Sequence, residues 1–179
     1  MPTDAPLTLR LVQTIGITVT SWMAGQVSSF SFFTIPRLLE SPTPLMLKQW
    51  VNMFQAGKSV GQPVSIIIPV SYLYLAYASH SSSSSPFFSN KVALSYAAAA
   101  ALCLSIPPYT ITVLKSTNVA IFKRAEEVTK GEKEGRAVEA RKGEESAQDL
   151  LRRWALLNLG RVVLLLASAL LGTWTTINY

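Results

Sequence analysis

The segment LLRRWALLNLGRVVLLLASALLGTW, Leu150 to Trp174, constrains the fold more than any other part of the chain. A bilayer crossing takes about 20 predominantly apolar residues, and Trp154 to Trp174 supplies them. Arg161 lies inside this run, although a guanidinium near the centre of a span costs about 2.5–3.5 kcal/mol on insertion scales. Composition points the same way. Of 179 residues, 49% are hydrophobic and 15% charged, and most of the charge is confined between Lys115 and Arg153. Charge gathered into one stretch of an otherwise apolar chain indicates a membrane protein rather than a soluble core.

Four spans are expected, at Leu11–Phe33, Val60–Ala78, Val92–Leu114 and Trp154–Trp174. The expected fold is an all-α integral membrane four-helix bundle, a single domain over 1–179. PLMLKQWVNMF, Pro44 to Phe54, reads as a short interfacial helix in the first loop. Thr43-Pro44 would open it, and Leu45, Trp50 and Phe54 would share a face. The third loop, 115–153, carries a charged helix. Four spans put Pro36–Ser59 and Lys115–Arg153 on one side, with nearly all the Lys and Arg, and leave Arg10 and Lys91 on the other. The positive-inside rule makes the two basic loops cytosolic and both termini luminal or external, in an endomembrane. Met1–Pro6 lacks the basic start of a cleaved signal, so the first apolar segment is expected to stay as a helix. Ser81–Ser85 reads as a flexible linker.

Several function classes drop out. The net charge of +6 is interleaved with acids such as Glu126, Glu127, Glu132 and Glu134, the pattern of a solvated helix rather than a nucleic-acid surface. One Cys (Cys103) and one His (His80) give neither an internal disulfide nor a His/Cys metal site. The fragment Gly57-Lys58-Ser59 is not a phosphate loop, because that motif needs glycine where this chain has Asn52, and no Gly-rich dinucleotide fingerprint is present.

The polar residues within the spans are the candidate functional groups. In the first span Thr14, Thr18, Trp22, Gly25, Ser29 and Phe32 recur at helical spacing. They suggest a helix-packing face or the lining of a polar cavity. In the last span Trp154, Asn158, Arg161, Leu165, Ser168 and Gly172 form a single stripe that should face the bundle interior. Three readings of Arg161 remain open: a buried functional cation, a hydrogen-bonding link between helices, or a side chain snorkelling to the headgroups. In STNVAIFKRAEE, Ser116 to Glu127, Thr117 and Asn118 fall where the third span meets the basic side. They read either as a polar helix end or cap, or as residues that converge with Trp154, Asn158 and Arg161 on one polar pocket.

TNVAIFKRA after an apolar third span, a charged helix, LLRRWALLNLGR opening a fourth span, and GQVSSFSFFTIPRLL closing the first together resemble the fungal anthrone oxygenase family of small four-helix membrane proteins. The similarity runs from about Gln13 to Gly172. It implies a membrane-bound oxygenase that converts a polyketide anthrone to an anthraquinone with O2 as co-substrate and no metal or flavin. On the matched positions it implies Arg161 and Asn158 as catalytic residues and Trp154, Asn118 and Thr117 as substrate-binding residues. Arg153 stands beside Trp154 in the same motif. The resemblance includes a histidine in many relatives where this chain has Asn158, and an amide cannot serve as the proton acceptor there. That departure keeps a rival open, a non-catalytic accessory or transport protein of the same kind of pathway. Transport with four spans would require an oligomer.

Overall fold

A computed structural model describes residues 6–134 and 145–179. The expected charged loop therefore lies partly, at 135–144, outside the described residues. The described chain forms helical rods and, among these residues, no strand. The first rod is α1 (Leu7–Ser29), a π-helical turn at Phe30–Thr34 and the short α2 (Ile35–Leu38). The second is the 39-residue α3 (Thr43–Ser81). The third runs through α4 (Lys91–Leu104), α5 (Ile106–Tyr109), a second π-turn at Thr110–Leu114 and α6 (Lys115–Lys133). The fourth is α7 (Ala147–Asn178). In the half away from the charged segment α1 packs on α3 and α7, and so does α4. In the charged half α6 takes the place of α4 against α3 and α7.

Local chemistry sets the rod ends. The Asn90 carboxamide oxygen accepts from the backbone N–H of Val92 and Ala93, each at 3.1 Å, and starts α4. The Ser146 hydroxyl oxygen accepts from Asp149 N at 3.1 Å and starts α7. Pro63 and Pro69 lie inside α3. Hydroxyls on either side bond back to the helix, Ser65 to Gln62 O at 2.7 Å and Ser71 to Ile67 O at 2.9 Å. On the solvated face of α6, Glu126 pairs with Lys130 at 2.9 Å and Glu127 with Lys123 at 3.9 Å.

Three helices are long and apolar enough to cross a membrane: Thr43–Ser81, Lys91–Lys133 and Ala147–Asn178. The expected first span differs. α1 has the length, 23 residues, but not the apolarity of the other three. Several of its hydroxyls bond back within the helix, Thr14 to Arg10 O at 2.8 Å and Thr20 to Gly16 O at 2.6 Å among them. The stripe expected to face inward, Thr14, Thr18, Trp22, Gly25 and Phe32, faces outward. The buried face is Gly16, Thr20, Ala24 and Val27. Small side chains on that face let Ser71 and Tyr72 of α3 approach, with a Cβ at Gly16 falling 3.3 Å from the Ser71 Cβ. The interfacial helix expected at Pro44–Phe54 is not a separate element. It is the first turns of α3, and it buries Met46, Leu47 and Trp50 while leaving Leu45 exposed. The bundle has two apolar cores. One centres on Ala24, Tyr72, Tyr96 and Leu165, the other on Ile35, Trp50, Ile121 and Trp154.

Candidate functional site

The stripe read from α7 faces inward as expected: Trp154, Asn158, Leu165, Ser168 and Gly172 are buried and Arg161 is half-buried. Its polar end lies where the two cores meet. Asn158 is fully buried and uses both ends of its amide. Its Nδ2 donates to Val27 O at 2.9 Å and to Ser31 Oγ at 2.8 Å, and Ser31 Oγ in turn donates to Ala155 O at 2.8 Å. Its Oδ1 accepts from Arg161, through Nε at 3.0 Å and also through Nη2. The Arg161 guanidinium carbon lies 5.9 Å from the centroid of the Trp154 ring, within cation–π range. The Trp154 indole Nε1 donates to Asn118 Oδ1 at 2.8 Å, which ties α7 to α6. Arg161, Asn158, Trp154 and Asn118 thus form one connected network.

Thr117 lies beside this network, 2% exposed, with no hydrogen-bond partner for its hydroxyl among the described residues. Arg153 turns away from it and pairs with Glu145 at 3.4 Å. Arg161 forms no ion pair with a carboxylate among the described residues, and its Nη1 donates to none of their atoms. Its protein partners are a neutral amide and an aromatic face. A guanidinium held this way in a low-dielectric setting keeps its attraction for an incoming anion.

Sequence reasoning left four contributors out of the candidate site. Ser31 sits in the first π-turn, which carries its hydroxyl to α7, and the second π-turn separates Tyr109 from the Thr117-Asn118 pair. Such turns shift helical register by about one residue and recur at functional sites. Tyr109 donates to Leu157 O at 2.7 Å, and the hydroxyl end of its ring lies so close to Gly160 that a Cβ there would overlap it. Trp50 meets Trp154 edge-on at 5.7 Å, and Phe54 and Phe122 complete the cluster around it. The Trp50 indole N–H is also buried without a partner among the described residues. The signal for Tyr109 and Gly160 was weak, an aromatic and a glycine near span ends. From sequence, Trp50 reads only as one face of a helix in the first loop, and Ser31 only as part of the segment closing the first span.

The fold and the network together define a class, an α-helical membrane bundle with a cation held between a buried amide and an indole. Comparison with known proteins narrows it. The anthrone oxygenase family profile matches residues 50–171, and the chain belongs to that family. A monooxygenase, hypC, of Dothistroma septosporum is 29% identical over 169 residues, covering 92% of this chain and 82% of the relative. An anthrone oxygenase, encC, of Aspergillus fumigatus is 24% identical over 176 residues, covering 93% of each. A noranthrone monooxygenase of Aspergillus flavus is 26% identical over 161 residues, covering 88% of this chain and 70% of the relative. No solved structure matches the chain.

Proposed function

We propose that the chain oxidises a polyketide anthrone to the anthraquinone with O2 and no other cofactor, at Arg161. The observation that carries this reading is the Arg161 guanidinium, half-buried and bound to no carboxylate among the described residues. Family membership supports the substrate class.

In net terms the ring CH2 of the anthrone becomes C=O, one atom of O2 enters the ring and the other leaves as water. Loss of one benzylic proton gives a delocalised oxyanion, and Arg161 favours it electrostatically. Asn158 fixes the guanidinium through two hydrogen bonds, and Trp154 offers a flat face for the tricycle. The anion passes an electron to O2, the resulting radical pair combines to a peroxide anion, and that anion takes up a proton, equivalent to the one first lost, to become the hydroperoxide. Loss of the second ring proton breaks the O–O bond and releases water. Asn118 orients the Trp154 ring, and Thr117 offers a hydroxyl, unpartnered among the described residues, for a phenol of the substrate. The outward apolar faces, among them Ile66, Val70, Val163 and Leu170, would meet lipid. The basic end would be cytosolic in an endomembrane. The tricycle is apolar in its rings and ionisable at its phenols, which suits a site near the charged end of a membrane bundle.

The test is conversion of emodin anthrone under air by membranes containing the chain, with no cofactor added and empty membranes setting the autoxidation rate. Acceleration over that rate, reduced about a hundredfold or more in Arg161→Ala, is the expected result. Full turnover by a folded Arg161→Ala protein would refute the electrostatic role. A rate equal to background in folded wild type would favour the accessory or transport reading.

A further inference from the structure

We propose that a lysine-rimmed groove between α3 and α6 is the loading site for a planar aromatic anion, with Phe122 as the wall between it and the buried Trp50 donor. The identity of the occupant rests on the oxygenase reading. The groove has a volume of about 710 Å³, and Lys48, Lys123, Lys130 and Lys133 line it beside Val51 and Phe122. Its one acid, Glu126, is already paired with Lys130 at 2.9 Å, and Lys48 and Lys133 enter no ion pair among the described residues. An excess of ammonium groups over an apolar floor suits a flat, oxygen-rich anion such as a phenolate. The volume falls in the range of about 300–1,000 Å³ typical of small-molecule sites.

The groove also leads somewhere. Phe122 forms part of its floor and meets Trp50 edge-on at 5.3 Å. Trp50 meets Trp154 at 5.7 Å, and Trp154 lies 5.9 Å from the Arg161 guanidinium. The series is an aromatic path from the charged surface to the buried cation. One polar atom on it, Trp50 Nε1, is fully buried and unpartnered among the described residues. A buried donor without an acceptor is costly. A ring system bearing carbonyl and phenol oxygens, passing Phe122, would give it an acceptor. A lipid headgroup would need the lysines and not this donor.

The experiment uses the full chain in nanodiscs of phosphatidylcholine. It measures KM for emodin anthrone and, under argon, the affinity for emodin from quenching of tryptophan fluorescence. In Lys48→Glu/Lys133→Glu both constants should weaken about tenfold, the scale of two exposed charge interactions, and the salt dependence of kcat/KM should flatten. In Trp50→Phe, which keeps a ring and removes the N–H, both should weaken severalfold with the thermal transition retained. Unchanged affinity and salt slope in the lysine variant, or an unchanged KM in Trp50→Phe, would overturn the proposal. A lysine effect seen only when phosphatidylserine is added would also overturn it and assign the groove to headgroups. Lysine-dependent emodin binding without any turnover would uphold the loading site and refute the oxygenase reading. Turnover indifferent to the lysines would do the reverse.

Discussion

Replacing Asn158 and Arg161 singly and together separates a functional cation from a structural one. Asn158→Leu removes four hydrogen bonds at a fully buried position. The two across to the first rod are neutral, and such interhelical bonds are worth about 0.6–1.7 kcal/mol each in membranes. The two from Arg161 are charge-assisted, on a scale of about 1.5–3 kcal/mol, but they share one acceptor and do not add fully. Ser31 keeps its bond to Ala155 O, which limits the loss. The expected cost is about 3–5 kcal/mol. Arg161→Leu also leaves the Asn158 oxygen without its donor, but it removes an insertion cost of about 2.5–3.5 kcal/mol, so its net effect should lie within about 1 kcal/mol of zero. The double variant should recover part of the Asn158→Leu loss, because no cation is left stranded. The assay is a double-mutant cycle by reversible unfolding in mixed micelles, with anthrone turnover followed in parallel. A stable, inactive Arg161→Leu protein is the expected result. If Arg161→Leu proves as destabilising as Asn158→Leu, Arg161 is a link between helices and the reasoning fails.

Three further outcomes are expected. Gly172→Ala should destabilise by about 1–3 kcal/mol, since its Cβ would fall 2.6 Å from the buried Tyr72 ring, whereas Gly25→Ala, with nothing within 4 Å, should be neutral or stabilising; paired thermal melts check both. Ser31→Ala should lower turnover more than stability, because it leaves Arg161 in place but removes one of the two acceptors that orient Asn158; steady-state kinetics beside a thermal melt test this. Asp149 is held below the usual carboxylate range by the Ser146 hydroxyl first and by Arg152 second. A lowered folded pKa contributes stability above the unfolded value, about 3.9, which is lost as pH falls through the folded one. Ser146→Ala should shrink that contribution in melts on either side of pH 4.

The sequence alone determined what hydropathy and period can encode. It marked the long apolar segments, the end of the bundle that carries the charge, and the α7 stripe, where Asn158 and Arg161 stand out against leucines and so declare the inward face. Hydropathy could not orient α1. Around a membrane helix, lipid and bundle interior are equally apolar, so apolar residues do not distinguish inside from outside. Packing decided instead, and it chose the Gly16–Thr20–Ala24 face because bulky neighbours fit against it. The same holds for Trp50, whose partners Phe122 and Trp154 are distant in sequence, and for Ser31, which a π-turn delivers to Asn158. A single residue can announce that it is costly to bury, but only the tertiary structure shows which neighbours offset that cost and which of its donors are left for a substrate.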